Sequence, residues 1–238
     1  DGGQFTGISD IIGKYGVVPK EVMNETFASN NTSQMASLLK LKLREYGLQL
    51  RELPVQTDME DIKRIKTEML GTMYRMLVLN LGEPPLEFTW TRKDINGKPV
   101  ETKQYTPKSF YNEYIGKDLT NGYVMLMNDP TREYYKLYEI DYDRHMYDGY
   151  NWRYVNLPVE DIKKMAIASI KDSTAMYFSC DVTKFLNRDK GTLDLNNYDY
   201  ESLMGTTFGM NKKQRVQSFA SGSSHAMTLV AVDLDDSG

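Results

Sequence analysis

Cysteine and histidine are nearly missing from this 238-residue chain, which holds one cysteine, Cys180, and two histidines, His145 and His225. One cysteine cannot close an internal disulfide, and three such residues scattered along the sequence do not make a zinc-finger set. A disulfide scaffold is therefore excluded, and neither a metal nor a cofactor is expected. Long apolar runs are also missing: none approaches the roughly 18 residues that would signal a membrane span. The opening Asp1-Gly2-Gly3-Gln4-Phe5 lacks the basic and apolar regions of a signal peptide. Basic residues are not in surplus, with 29 Lys and Arg against 33 Asp and Glu and a net charge of -4. A strongly basic nucleic-acid clamp is thus excluded as the default reading, because phosphate binding draws on excess Lys and Arg. No phosphate-loop or dinucleotide-binding glycine motif occurs. Asp141, Asp143 and Asp148 lie close together but lack calcium-loop spacing and a closing Glu. Neither a nucleic-acid nor a membrane partner is signalled, and a single cysteine is compatible with a cytoplasmic protein.

Apolar residues make up 40% of the chain and charged residues 26%, as in an ordinary globular protein. The length suits one large domain or two small ones. Tyrosine outnumbers phenylalanine 17 to 8, and there are 14 methionines, a mixture that favours broad, semi-polar packing surfaces. Phe5, Ile8, Ile11 and Ile12 fall at helical spacing and predict a short helix over 5–15, stopped by Gly16. Leu39, Leu43, Tyr46, Leu50 and Leu53 predict a second helix over about 33–52. A third follows from Thr57, with Thr57 and Glu60 spaced as a capping box, and Gly82 ends it. The apolar stripes of these two helices read as core, in an antiparallel hairpin. Asn96-Gly97 predicts a β-hairpin between strands over 87–91 and 98–105. Pro107 opens a short helix, and 123–127 reads as a buried strand. The tyrosine-rich stretch 134–154 reads as strands or extended segments. A helix over 159–171 leads into a strand over 174–180, and a loop-rich stretch over 184–222 precedes a buried strand over 224–232.

His225 enters that last strand after Ser221-Gly222-Ser223-Ser224. A rigid strand end fixes the direction of an imidazole, which a general base needs; by spacing alone, a satisfied buried histidine is the simpler reading. Cys180 ends its strand, with no helix N-terminus or basic cluster beside it in sequence to lower its pKa, so it reads as a small apolar residue and not a nucleophile. His145 has no metal-ligand spacing around it and reads as structural.

Several segments, taken in order, resemble the bleomycin hydrolase and aminopeptidase C family of papain-like cysteine peptidases. They are DGGQF (1–5), KYGVVPKEVMNET (14–26), LNLGEPPLEFTW (79–90), MNDP (127–130), KLYEIDY (136–142), IKKMAIASIKDSTAMYFSCDV (162–182) and SSHAMTLVAVDLDD (223–236). The resemblance implies an α+β, partial papain-like fold with a helical insertion and a strand-rich insertion. It assigns 1–28 and 156–238 to the papain-like core, 29–82 to the helical insertion and 83–155 to the further insertion.

The resemblance also implies that His225 is the catalytic histidine, acting as base toward a cysteine and then as acid toward the leaving amine. Gly2 and Gly3 match the glycine pair lining the substrate cleft. Peptide substrates and a homo-hexamer with inward-facing sites follow from the family. The family's nucleophile belongs to a Gly-Arg-Cys-Trp-type motif and its third catalytic residue to an Asn-Ser-Trp-Gly-type motif, and neither motif occurs here. Gln4 is not the family's oxyanion-hole glutamine, and Cys180 matches a cysteine that is not the nucleophile. The chain is thus expected to be the middle of a cysteine aminopeptidase, truncated at both ends and inactive alone. A non-catalytic papain-like binding or assembly module is the alternative. A rearranged Cys180–His225 dyad is a third option, which requires the two side chains within hydrogen-bond reach.

Overall fold

The computed structural model of the chain describes residues 4–235. The chain divides into two compact units, one of Asp1–Lys14 with Lys117–Gly238 and one of Tyr15–Gly116. Helix α1 (Phe5–Tyr15) forms where the apolar spacing places it. Its buried face, however, is not the isoleucine stripe: Gly7, Ser9 and Asp10 are buried, while Ile8 and Ile11 are exposed. The reason is the segment 143–150, which runs along the small and polar side of the helix. Gln4 Nε2 donates to Asp143 Oδ2 (3.1 Å), Tyr150 N donates to Asp10 Oδ2 (2.8 Å), and Lys14 Nζ meets Asp148 Oδ2 (2.7 Å). His145 lies so close to Gly7 that a Cβ there would collide with its ring. His145 thus packs on α1 through a glycine gap.

In the unit Tyr15–Gly116, Gly16 adopts φ +83°, the left-handed region that favours glycine, and its Cα runs against the Pro107 backbone. Three helices follow: α2 (Phe27–Asn30), α3 (Thr32–Arg51) and α4 (Met59–Leu81). The capping box expected at Thr57 does not form. The N-cap is Asp58, and the Thr57 hydroxyl instead donates back to Pro54 O (2.6 Å), closing the turn before the helix. Gly82 (φ +85°) ends α4 as expected. The stripes read as core are mostly not buried: Met73 is the one buried residue among the two long helices. Two helices alone can cover only a narrow seam, and Leu43, Leu48, Leu70 and Leu79 remain exposed.

The hairpin of β1 (Phe88–Lys93) and β2 (Pro99–Tyr105) forms as read, with Gly97 at φ +80°. Asp94 fixes the turn by accepting from Asn96 N and Lys98 N (both 2.8 Å). Helix α5 (Pro107–Tyr114) starts with a capping box between Thr106 and Ser109. Its Phe110 packs on Phe88 and Tyr105 to make the core of this unit, with Trp90 edge-on to Phe110 and the Tyr114 ring tilted against it. Trp90 Nε1 donates to Glu21 Oε1 (2.6 Å), and this bond holds the Glu21 carboxyl below the usual carboxylate range.

In the other unit, β3 (Leu126–Met127), β4 (Lys136–Ile140) and β5 (Trp152–Asn156) form one sheet in the order β3-β5-β4, with β3 parallel and β4 antiparallel to β5. The buried strand read over 123–127 shrinks to two residues, because Tyr123 and Val124 are exposed. Tyr154 and Asn156 point to the buried side of β5 and are essentially inaccessible. The Asn156 amide closes the turn after β3. Its Oδ1 accepts from Asp129 N (2.8 Å), and its Nδ2 donates to the carbonyls of Asp129, Arg132 and Glu133 at 2.9, 3.2 and 3.1 Å.

Helix α6 (Val159–Lys171) leads into β6 (Met176–Cys180). The loop-rich stretch contains β7 (Leu186–Asn187), β8 (Thr192–Leu193), α7 (Tyr200–Met204) and α8 (Lys212–Gln217). The last strand, β9 (His225–Leu229), pairs antiparallel with β6. It is shorter and more exposed than the sequence suggests, with Val230 72% exposed beyond its end.

Phe219 follows the C-terminus of α8 at φ +58°, a conformation that glycine usually supplies at this position. Its side chain is 95% exposed, so no packing holds it there. Replacing Phe219 with Gly is expected to stabilise the chain by about 0.5–1 kcal/mol, the relief of left-handed strain outweighing the added freedom of the unfolded chain. Urea midpoints of the two proteins check this; a lower midpoint for the variant would contradict it.

Candidate active site

His225 is the first residue of β9, and its side chain is exposed. Its position follows from the β6–β9 ladder on one side and from a set of loop contacts on the other. In the ladder, Met176 pairs with Leu229, Phe178 with Met227 and Cys180 with His225. Upstream, Ser224 N donates to Cys180 O (2.9 Å). Ser224 Oγ accepts from Val182 N (3.0 Å) and Thr183 N (3.2 Å) and lies 3.1 Å from Thr183 Oγ1. Ser221 Oγ donates to Asp181 Oδ2 (2.7 Å), which also meets Lys184 Nζ (3.1 Å). Lys184 Nζ donates in turn to Ala220 O. The loop 220–224 is thereby tied to the segment 180–184, and the imidazole is presented from a doubly anchored strand end.

Cys180 and His225 are brought together as direct cross-strand neighbours, whose Cβ atoms in an antiparallel pair stand about 4.5–5.5 Å apart. No hydrogen bond joins them among the described residues. Burial, aided by the neighbouring Asp181 carboxylate, pushes the Cys180 thiol above its ordinary pKa. A nucleophilic cysteine needs the opposite shift, toward thiolate. The chemistry of the pair therefore does not favour a dyad, although the register makes them adjacent.

Gly2 and Gly3 lie outside the described residues. Gln4 packs its amide on Asp143, and its Oε1 is buried without a hydrogen-bond partner among the described residues. An open cleft of about 350 Å³ lies beside α1, lined by Asp10, Lys14, Asp118, Asp148 and Tyr150 among others; neither His225 nor Cys180 lines it. Among the described residues no group of three or more His, Cys, Asp or Glu side chains could hold a metal ion. No helix among them is long and apolar enough to cross a membrane. The anchors of His225 were not legible beforehand. Ser221 and Ser224 stand out only as small polar residues before a strand, and their partners are about 40 residues away.

The fold is α+β, and it presents one histidine at a fixed strand start. A model of the Peptidase C1-like family matches residues 1–238, and the chain belongs to that family. Aminopeptidase E of Lactobacillus helveticus is 36% identical over 236 residues, covering 99% of this chain and 54% of that protein. Bleomycin hydrolase of Homo sapiens is 36% identical over 242 residues, covering 99% and 53%. The crystal structure of PepW from Lactobacillus rhamnosis matches with a TM-score of 0.94 at 35% identity, over 99% of this chain and 53% of that one. The partial papain-like fold expected from the resemblance is borne out by this match. The chain spans about half the length of these relatives.

Proposed function

We propose that this chain is part of a cysteine-type aminopeptidase of the bleomycin hydrolase kind, in which His225 is the general base and acid. The observation that carries the reading is the exposed His225 imidazole at an anchored strand start, in a chain that matches peptidases along 99% of its length. In this reading a cysteine thiolate attacks the carbonyl carbon of the N-terminal peptide bond. His225 takes the thiol proton and passes it to the leaving amine, and water then hydrolyses the thioester.

The thiolate does not come from Cys180, whose thiol burial pushes above its ordinary pKa, away from the shift a nucleophile needs. It comes from residues outside these 238, so this chain alone is inactive. Gly2 and Gly3 are the substrate-binding pair in this reading, since a backbone without side chains lets an extended peptide approach. Residues 1–28 and 156–238 form the papain-like core, with 29–82 and 83–155 as insertions, and the whole protein assembles as a homo-hexamer.

The test is hydrolysis of an aminoacyl fluorogenic substrate by this chain and by a longer protein that includes it. The longer protein is expected to turn over and this chain is not. Cys180→Ala in the longer protein is expected to leave kcat within about two-fold. Turnover by this chain that survives Cys180→Ala would overturn the reading. Activity in this chain that disappears with Cys180→Ala would favour the dyad instead.

A further inference from the structure

We propose that Ser224 is the positioning residue of His225, acting through a latch that extends the β6–β9 pairing past its last ladder pair. The inference rests on the reading of His225 as the catalytic base. A strand terminus frays unless its flanking backbone is tied down, whereas a general base must stay within about 0.5 Å and 10–20° of its productive geometry. His225 stands at such a terminus. Beyond it the regular ladder ends, since Cys180–His225 is the last pair.

The Ser224 hydroxyl replaces the missing ladder. Val182 N and Thr183 N are consecutive donors just past the end of β6, and both point at Ser224 Oγ, at 3.0 and 3.2 Å. The Ser224 backbone is held from the same side by its own N–H on Cys180 O at 2.9 Å. One residue is thus fixed through its main chain and its side chain at once, immediately before the imidazole. The Ser221–Asp181 bond at 2.7 Å and the Lys184 contact to Ala220 O form an outer anchor that stops the loop from peeling away. Alanine at 224 would leave two adjacent backbone donors without their acceptor and release the φ and ψ of the residue that aims His225. Threonine keeps the acceptor oxygen and restricts χ1 further.

The experiment is steady-state kinetics of the longer protein carrying Ser224→Ala or Ser224→Thr, beside His225→Ala. Folded content is matched by near-UV circular dichroism. Ser224→Ala is expected to lower kcat ten-fold or more with KM within two-fold, and Ser224→Thr to recover kcat to within about three-fold of the parent. A Ser224→Ala kcat within two-fold of the parent overturns the latch. So does a loss that threonine does not rescue and that tracks a fall in folded content. If Ser224→Ala does not fold, Ser221→Ala at the outer anchor decides. A several-fold loss of kcat at constant KM supports the latch, and parent-level kcat overturns it. His225→Ala separates the two claims. If it is active, the base assignment fails and the latch with it. If it is inactive while Ser224→Ala is not, only the latch fails.

Discussion

His225→Ala in the longer protein is expected to lower kcat on aminoacyl substrates by about 10⁴-fold or more, with a much smaller change in KM. Nucleophile and base act as a unit, so losing the base removes nearly the whole covalent pathway and leaves only binding and oxyanion stabilisation. The size of the effect separates catalysis from structure. The side chain is exposed and makes no hydrogen bond among the described residues, so its removal disturbs little packing. A surface substitution of that kind ordinarily shifts stability by no more than about 0.5 kcal/mol. Near-parent thermal stability with activity lost is therefore the expected pattern. A loss of activity below about ten-fold would show that His225 is not the base.

Asn156→Ala is expected to be the most damaging of these substitutions for folding, costing about 3 kcal/mol or more. The side chain is fully buried and satisfies one backbone N–H and three carbonyls of the turn 129–133. A buried polar group left without its partner costs about 1–3 kcal/mol, and alanine strands more than one. Asn156→Asp is expected to rescue little. It keeps the acceptor for Asp129 N but sets a carboxylate against three carbonyl oxygens that need a donor. Chemical unfolding of the parent and both variants checks this, and a cost below about 1 kcal/mol for alanine would contradict it.

Local signals in the sequence placed most elements. The α1 and α6 periodicities, the Asn96-Gly97 turn and the Pro107 helix start all act within a few residues, and each element forms where its signal stands. Burial was less legible, because it depends on what else covers a face. The α3 and α4 stripes read as core, yet two helices shield only their shared seam. The Ile8 and Ile11 face of α1 is exposed because the polar segment 143–150 takes the opposite side, through contacts more than 130 residues apart in sequence. At the site, the HAM stretch made His225 visible by resemblance, and its strand-initial position followed from the apolar run. The Ser224 and Ser221 anchors depend on partners near 181–184, and no local pattern announces such pairs. The register that sets Cys180 opposite His225 is likewise a property of strand pairing and not of either strand alone.

The central claim is that His225 serves a thiolate other than Cys180. Its most direct test is alkylation of the longer protein with a limiting thiol reagent at neutral pH, with the labelled residue mapped by mass spectrometry. The expected first-labelled cysteine lies outside these 238 residues, its labelling slows in His225→Ala, and Cys180 stays unmodified. Labelling of Cys180 first, at a rate that depends on His225, would contradict the account.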